Sequence, residues 1–184
     1  MRACSAATWP GCPRIAVNLS PAQFAHRGLV DAVAVALQCS GLDPARLELE
    51  ITETVMLQDT QVTLATLQRL KGLGVRIAMD DFGTGYSSLS CLQRFPFDKV
   101  KIDRSFTRGL EESPQSNAIV RAVTGLCIGL DMTTTAEGVE TKAQFQVLFR
   151  EGCGEAQGYL FSRPCPGAEI PALLARLESD PSSA

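Results

Sequence analysis

The sequence predicts an α/β fold in which a parallel sheet is built from strands joined by helical crossovers. Three observations predict it. Four short stretches alternate apolar and polar residues with the two-residue period of a strand: Arg14–Ser20, Leu47–Glu53, Val75–Asp81 and Lys99–Asp103. Segments with helical spacing lie between them. Strand ends recur roughly every 20 to 35 residues, the length of one βα unit.

Taken in order, the first strand candidate carries Ile15, Val17 and Leu19 on one face and Arg14, Ala16 and Asn18 on the other. Residues 28–40 then form a helix candidate that stops near Gly41. After the second strand, Leu64, Leu67 and Leu70 recur at helical spacing from Asp59 onward, and Gly72 and Gly74 end the run. A short segment, Tyr86 to Phe95, separates the third and fourth strands. Ile119, Val123, Leu126, Cys127 and Leu130 mark an amphipathic helix, and Phe145, Leu148 and Phe149 mark another closed by Gly152. Thr133–Val139 and Ala156–Phe161 complete six strand candidates. A last helix follows Pro166, and the final SDPSSA is expected to fray.

A barrel and an open doubly wound sheet both fit this order. The lack of G-x-G-x-x-G after the first strand speaks against the dinucleotide-binding version. Parallel strands covered on both faces normally read as continuous apolar runs. Here one parity carries Glu48, Glu50, Lys99 and Lys101. Either the sheet is antiparallel with a wet face, or these side chains line the interior mouth of a barrel. The helical spacers favour the barrel.

At 184 residues, 45% hydrophobic and 20% charged, the chain suits one globular domain with a substantial core. A net charge of −3 provides no basic field for a nucleic acid polymer. No apolar run approaches the ~20 residues of a membrane span, and the N-terminus lacks the apolar core of a signal peptide. Seven cysteines without a C-x-x-C pair point to a reduced, cytosolic compartment and mostly buried free thiols. His26 is the only histidine, which argues against a histidine metal site or a Ser-His-Asp triad. It is expected on the surface without a role. Any metal would therefore be a hard cation held by oxygens.

Candidates for such a site sit at the strand C-termini: Asn18, Glu50, Glu53, Asp80, Asp81, Lys101, Asp103, Glu137 and Glu140. Active sites of (β/α) barrels gather at this end. Carboxylates facing one another repel unless protonated or neutralised by cations. Carboxylates with one amide oxygen suit Mg²⁺ or Mn²⁺, and paired ions of this kind promote in-line phosphoryl displacement. Lys101 could position the attacking water or offset charge in the transition state. Against this, strand-end carboxylates also cap helices or sit in solvent, Gly83 and Gly85 alone say only that a turn is present, and Gln157 by default is a satisfied buried amide.

These stretches also carry a family likeness. VNLSPAQF (17–24), ELEITET (48–54), DDFGTGYSSL (80–89), FDKVKIDRSF (97–106), TAEGVET (135–141) and AQGYLFSRP (156–164) resemble, in order and spacing, the motifs of the EAL-domain phosphodiesterases. Those bacterial enzymes hydrolyse the second messenger cyclic di-GMP to linear pGpG. The resemblance implies a TIM-like (β/α) barrel. It implies two divalent cations, Mg²⁺ or Mn²⁺. Asn18, Glu50 and Asp80 would hold the first, with Asp80 bridging to the second, which Asp81 and Glu137 would hold or contact through water. Glu137 would be the general base and Lys101 would orient the hydrolytic water. Catalysis would thus fall to Glu137, Lys101 and Asp81. Glu140, Gln157 and Asp103 would support the site or the substrate. Glu53 and the loop Phe82, Gly83, Thr84, Gly85, Tyr86, Ser87 and Ser88 would position the second metal and resemble a dimerisation loop, implying a homodimer. Fused sensor or diguanylate cyclase domains accompany many such proteins.

The Glu-Ala-Leu tripeptide that names the family is absent, and with it a glutamate ligand of the first metal. A complete barrel typically needs about 250 residues, so roughly 65 are lacking and about six of eight strands are expected. Residues 1–178 read as a partial EAL domain and 179–184 as a disordered tail. Two functions follow: a metal-dependent cyclic di-GMP phosphodiesterase impaired in these residues alone, or a catalytically inactive module that binds cyclic di-GMP or a protein.

Overall fold

The computed structural model describes residues 6–56, 60–83 and 89–179. In chain order the elements are β1 (Ile15–Leu19), α1 (Pro21–Phe24), α2 (Leu29–Ser40), β2 (Leu47–Thr52), α3 (Glu53–Met56), α4 (Thr60–Gly72), β3 (Arg76–Phe82), α5 (Leu89–Arg94), β4 (Lys99–Ile102), α6 (Arg104–Arg108), α7 (Pro114–Gly129), β5 (Thr133–Ala136), α8 (Lys142–Arg150), β6 (Glu155–Ala156) and α9 (Ile170–Ser179). Six parallel strands form one sheet in the order β1-β2-β3-β4-β5-β6. This is a partial (β/α) barrel with helices outside and polar side chains in the bore, which decides between the two α/β readings. No helix among the described residues is long and apolar enough to cross a membrane.

Strand parity explains the layering. Leu49, Ile51, Ile77, Met79, Val100 and Ile102 are at most 2% exposed and meet the helices. Leu67 and Leu70 of α4 and Val120 and Cys127 of α7 lie fully buried against them. Glu48, Glu50, Asp80, Lys99 and Lys101 point the opposite way, yet each is buried too. Helix ends follow the glycines: Gly41 (φ 64) closes α2 in the left-handed region that L-residues avoid. Arg46 ties the start of the chain down by donating to the carbonyls of Ala6, Ala7 and Pro13.

Several expectations need correction. Ala156–Phe161 is not a strand; pairing covers only Glu155–Ala156. A Cβ on Gly158 would lie 2.1 Å from the Val139 carbonyl oxygen, so this glycine is pinched against another backbone. Around that pinch, Val139 N–H donates to the Gln157 carbonyl and Leu160 N–H to that of Val139, both at 3.0 Å, and the chain turns. β5 stops at Ala136, before Glu137 and the positive-φ Gly138. Phe149 is 74% exposed, because α8 buries Gln144 and Leu148 instead. Ser179 is helical, and the rest of the expected tail lies outside the described residues. Among the described thiols, Cys12 and Cys39 are exposed, Cys153 and Cys165 are half-buried and Cys127 is buried, so these are not mostly buried. Gly158→Ala is expected to cost about 2 kcal/mol or more, since backbone atoms cannot give way; the shift of the urea midpoint measures it.

Candidate metal centre

Five side chains from five successive units meet at the C-terminal end of the sheet. Asn18 lies one residue before the end of β1, Glu50 in β2, Asp80 in β3 and Lys101 in β4, while Glu137 follows β5 directly. Lys101 Nζ stands 2.9 Å from Glu50 Oε1, 2.9 Å from Asp80 Oδ1 and 2.7 Å from Glu137 Oε1, with its side chain 5% exposed. The Asn18 amide faces the other oxygens of the same acids. In one orientation of the amide its nitrogen would donate at 3.1 Å to both Glu50 Oε2 and Asp80 Oδ2. In the other it presents its oxygen to the same two atoms, giving three converging oxygens. Carboxylate oxygens of Asp80, Asp81 and Glu137 lie within 4.8 Å of one another.

The charges feel this crowding. Burial raises the pKa of Glu50, and Asp80 and Glu137 add to it while Lys101 pulls it back down. Burial also raises that of Asp81, with Asp80 and Asp103 adding to it. Burial works against the Lys101 ammonium, yet hydrogen bonds to Glu137, Glu50 and Asp80 outweigh it and hold the group above the ordinary lysine value. Acids whose charge is disfavoured by their neighbours, with only oxygen donors in reach, fit a hard divalent cation.

Other predicted residues are placed differently. Glu53 Oε1 accepts from Gly83 N–H at 3.1 Å, bracing the turn beyond β3. Phe82 is buried and Gly83 has φ 98, whereas Thr84, Gly85, Tyr86, Ser87 and Ser88 lie outside the described residues. Asp103 caps α6, accepting from Ser105 N–H at 2.9 Å. Burial opposes its charge, but bonds from Ser105 and Arg104 lower its pKa. Glu140 is exposed, and its N–H is bonded by Gln144 Oε1 at 2.8 Å. Gln157 is exposed rather than a buried amide, and it lines a cavity of about 240 Å³ in the bore together with Glu50 and Lys101. His26 is exposed and accepts from Gly28 N–H through Nδ1.

Sequence reasoning put Glu48 and Lys99 on the inward face but missed Glu155, which joins them in a second charged layer lining the same cavity. Lys99 Nζ lies 2.9 Å from Glu48 Oε1 and 2.6 Å from Glu155 Oε2. Glu155 also bonds Arg14 at 2.7 Å and the Thr135 hydroxyl at 2.9 Å, linking the two edges of the sheet across the bore. Glu155 stands one residue before the expected strand; extending the alternation back from Gln157 would have included it.

The EAL domain model matches residues 2–164 of this chain. The chain belongs to the EAL family. This EAL chain is 47% identical over 161 residues to the bifunctional diguanylate cyclase/cyclic di-GMP phosphodiesterase MucR of Pseudomonas aeruginosa, covering 88% of the chain and 24% of MucR. It thus spans about a quarter of that relative's length. Among solved structures, the EAL domain of Mycobacterium smegmatis DcpA superposes with a TM-score of 0.89 at 41% identity, covering 95% of this chain and 81% of that one. A manganese and cyclic di-GMP complex of Klebsiella pneumoniae BlrP1 superposes at 0.78 with 38% identity, covering 84% and 40%.

Proposed function

We propose that this EAL chain hydrolyses cyclic di-GMP to linear pGpG with the help of two divalent cations, Mg²⁺ or Mn²⁺. The observation that carries the reading is the buried Lys101 ammonium held between Glu50, Asp80 and Glu137, with Asn18 and Asp81 at its margins. Asn18, Glu50 and Asp80 would hold one ion, and Asp80, Asp81 and Glu137 the other. Bound there, such ions would neutralise a phosphodiester and make a coordinated water acidic enough to attack. The chain supplies the rest. Lys101 donates a hydrogen bond that aims the attacking oxygen and offsets charge gathering on the phosphorus oxygens. Glu137, whose Oε1 is already bonded to Lys101, accepts the water's proton. The carboxylates alone would repel the substrate.

Support comes from relatives named for cyclic di-GMP, the bifunctional diguanylate cyclase/cyclic di-GMP phosphodiesterase MucR and the cyclic di-GMP complexes of BlrP1 with manganese or calcium. We further propose, from the motif resemblance, a bacterial cytosolic setting with fused sensor or diguanylate cyclase domains and a homodimeric EAL unit. A second reading is a binding module without turnover.

The test is release of pGpG with Mn²⁺ by the chain and by the longest natural polypeptide carrying it, each beside its Asp80→Asn variant. Turnover falling at least about 100-fold in the variant is the expected result. Cyclic di-GMP binding without pGpG from either polypeptide would make the domain a sensor, and neither binding nor turnover would end both readings.

A further inference from the structure

α6 is five residues long, yet it presses on both turns that carry candidate donors out of the sheet. A Cβ built on Gly83 would lie 2.7 Å from Phe106 Cε2, and one on Gly138 would lie 2.6 Å from Arg104 Cβ. Only hydrogens fit in such spaces. Gly83 comes two residues after Asp81, and Gly138 directly follows Glu137. Lys101 lies on β4 just ahead of Asp103, the α6 cap. One short element is therefore tied by covalent bonds to Lys101 and by contact to the turns of Asp81 and Glu137.

The turn beyond β3 needs such support. Pairing of β3 with β4 loses register between Met79 and Phe82, and the regular ladder to β2 ends at Thr52 and Asp80, one residue short of Asp81. Asp81 adopts φ 55 and Gly83 φ 98. A positive φ at a non-glycine residue persists only where its surroundings over-determine it. Two contacts do so at Gly83: the Glu53 carboxylate on its N–H and the Phe106 ring on its α-carbon. The ring is itself packed against the main core, so it cannot easily retreat.

We infer that Phe106 is a positioning residue: its ring holds the Gly83 turn so that Asp81 keeps its left-handed conformation beside Asp80 and Glu137, and α6 passes any displacement to the Glu137 turn through Arg104. The consequence for cation binding rests on the metal reading above; the mechanical part stands on the contacts alone.

Phe106→Ala and Phe106→Leu in the full chain test both parts. Amide exchange is read at Gly83, bonded to Glu53, and at Glu137, whose N–H donates to the Ile102 carbonyl at 3.0 Å. Both amides should exchange at least about tenfold faster in Phe106→Ala, with Phe106→Leu in between, while melting stays cooperative. A role in packing alone would speed Gly83 and leave Glu137 unchanged, overturning the inference, as would rates within about twofold of wild type at both. Mn²⁺ titration by calorimetry should show affinity weakened by at least about tenfold. Faster exchange with unchanged Mn²⁺ affinity would overturn the link to the site. A wild-type chain that binds no Mn²⁺ would end the metal reading and leave exchange to decide the mechanical claim. Should Phe106→Ala fail to fold, Phe106→Leu carries the same comparisons.

Discussion

Lys101→Met should lower turnover by about 10²- to 10⁴-fold and also weaken the metal-free fold. Its ammonium is the shared partner of Glu50, Asp80 and Glu137, the first two of which are under 10% exposed. Methionine fills similar space but leaves those carboxylates facing one another without a counter-charge. Breaking a buried pair in this way costs about 3–5 kcal/mol. The sign of the pH dependence follows from the shifts. Lys101 has a raised pKa, so its stabilisation is whole below the ordinary lysine value and is lost only as pH rises through the higher folded one. The deficit of Lys101→Met is therefore fully present at pH 7. Glu50 is an acid with a raised value, so folding favours its protonated form. The variant should accordingly recover stability as pH falls through the range where its crowded acids take up protons. Mn²⁺ should restore stability by mass action without restoring turnover. Urea midpoints at pH 5 and pH 8, with and without Mn²⁺, decide this; a metal-free variant as stable as wild type would refute it.

Lys99→Met is the counterpart one layer down, and the response to metal should differ. Lys99 Nζ holds Glu48 and Glu155, and its side chain is 6% exposed. Removing it leaves the 3%-exposed Glu48 with the more distant Arg76, 3.8 Å away, and should cost about 3 kcal/mol. Mn²⁺ should not rescue this loss, because neither Glu48 nor Glu155 belongs to the upper cluster. Adding Glu48→Gln should recover much of it by removing the stranded charge. Burial opposes the charge of Glu155, but Lys99, Thr135 and Arg14 lower its pKa overall. Its contribution is thus present above the ordinary glutamate value and fades as pH falls through the lower folded one. That acid step should shrink in Lys99→Met. Full recovery by Mn²⁺, or an undiminished acid step, would count against the assignment of the two layers.

Much of the site was legible because it depends on parity within single strands. Alternation over Leu47–Thr52 and Lys99–Ile102 put Glu50 and Lys101 on one face, and the shared sheet did the rest. What stayed hidden depends on partners distant in sequence. Nothing local in AQGYLF announces that Gly158 is trapped by the Val139 carbonyl. Asp103 looked like another strand-end acid, although Asp-Arg-Ser is equally an N-cap pattern, and capping won. Phe149 shares the helical spacing of Phe145 and Leu148, but α8 turns a different arc inward. The pressure of α6 on Gly83 and Gly138 has no signature at all in a one-dimensional pattern.

Strand order that repeats chain order has a bearing on how the molecule is made. Every ladder joins a strand to the one synthesised just before it, and the helix between them closes a short loop. The sheet can therefore lengthen strand by strand while the ribosome is still adding residues, each new unit docking on a finished template. Lys101 then arrives after Asn18, Glu50 and Asp80 are already in place, so the acids of this cluster stand without their ammonium until β4 docks.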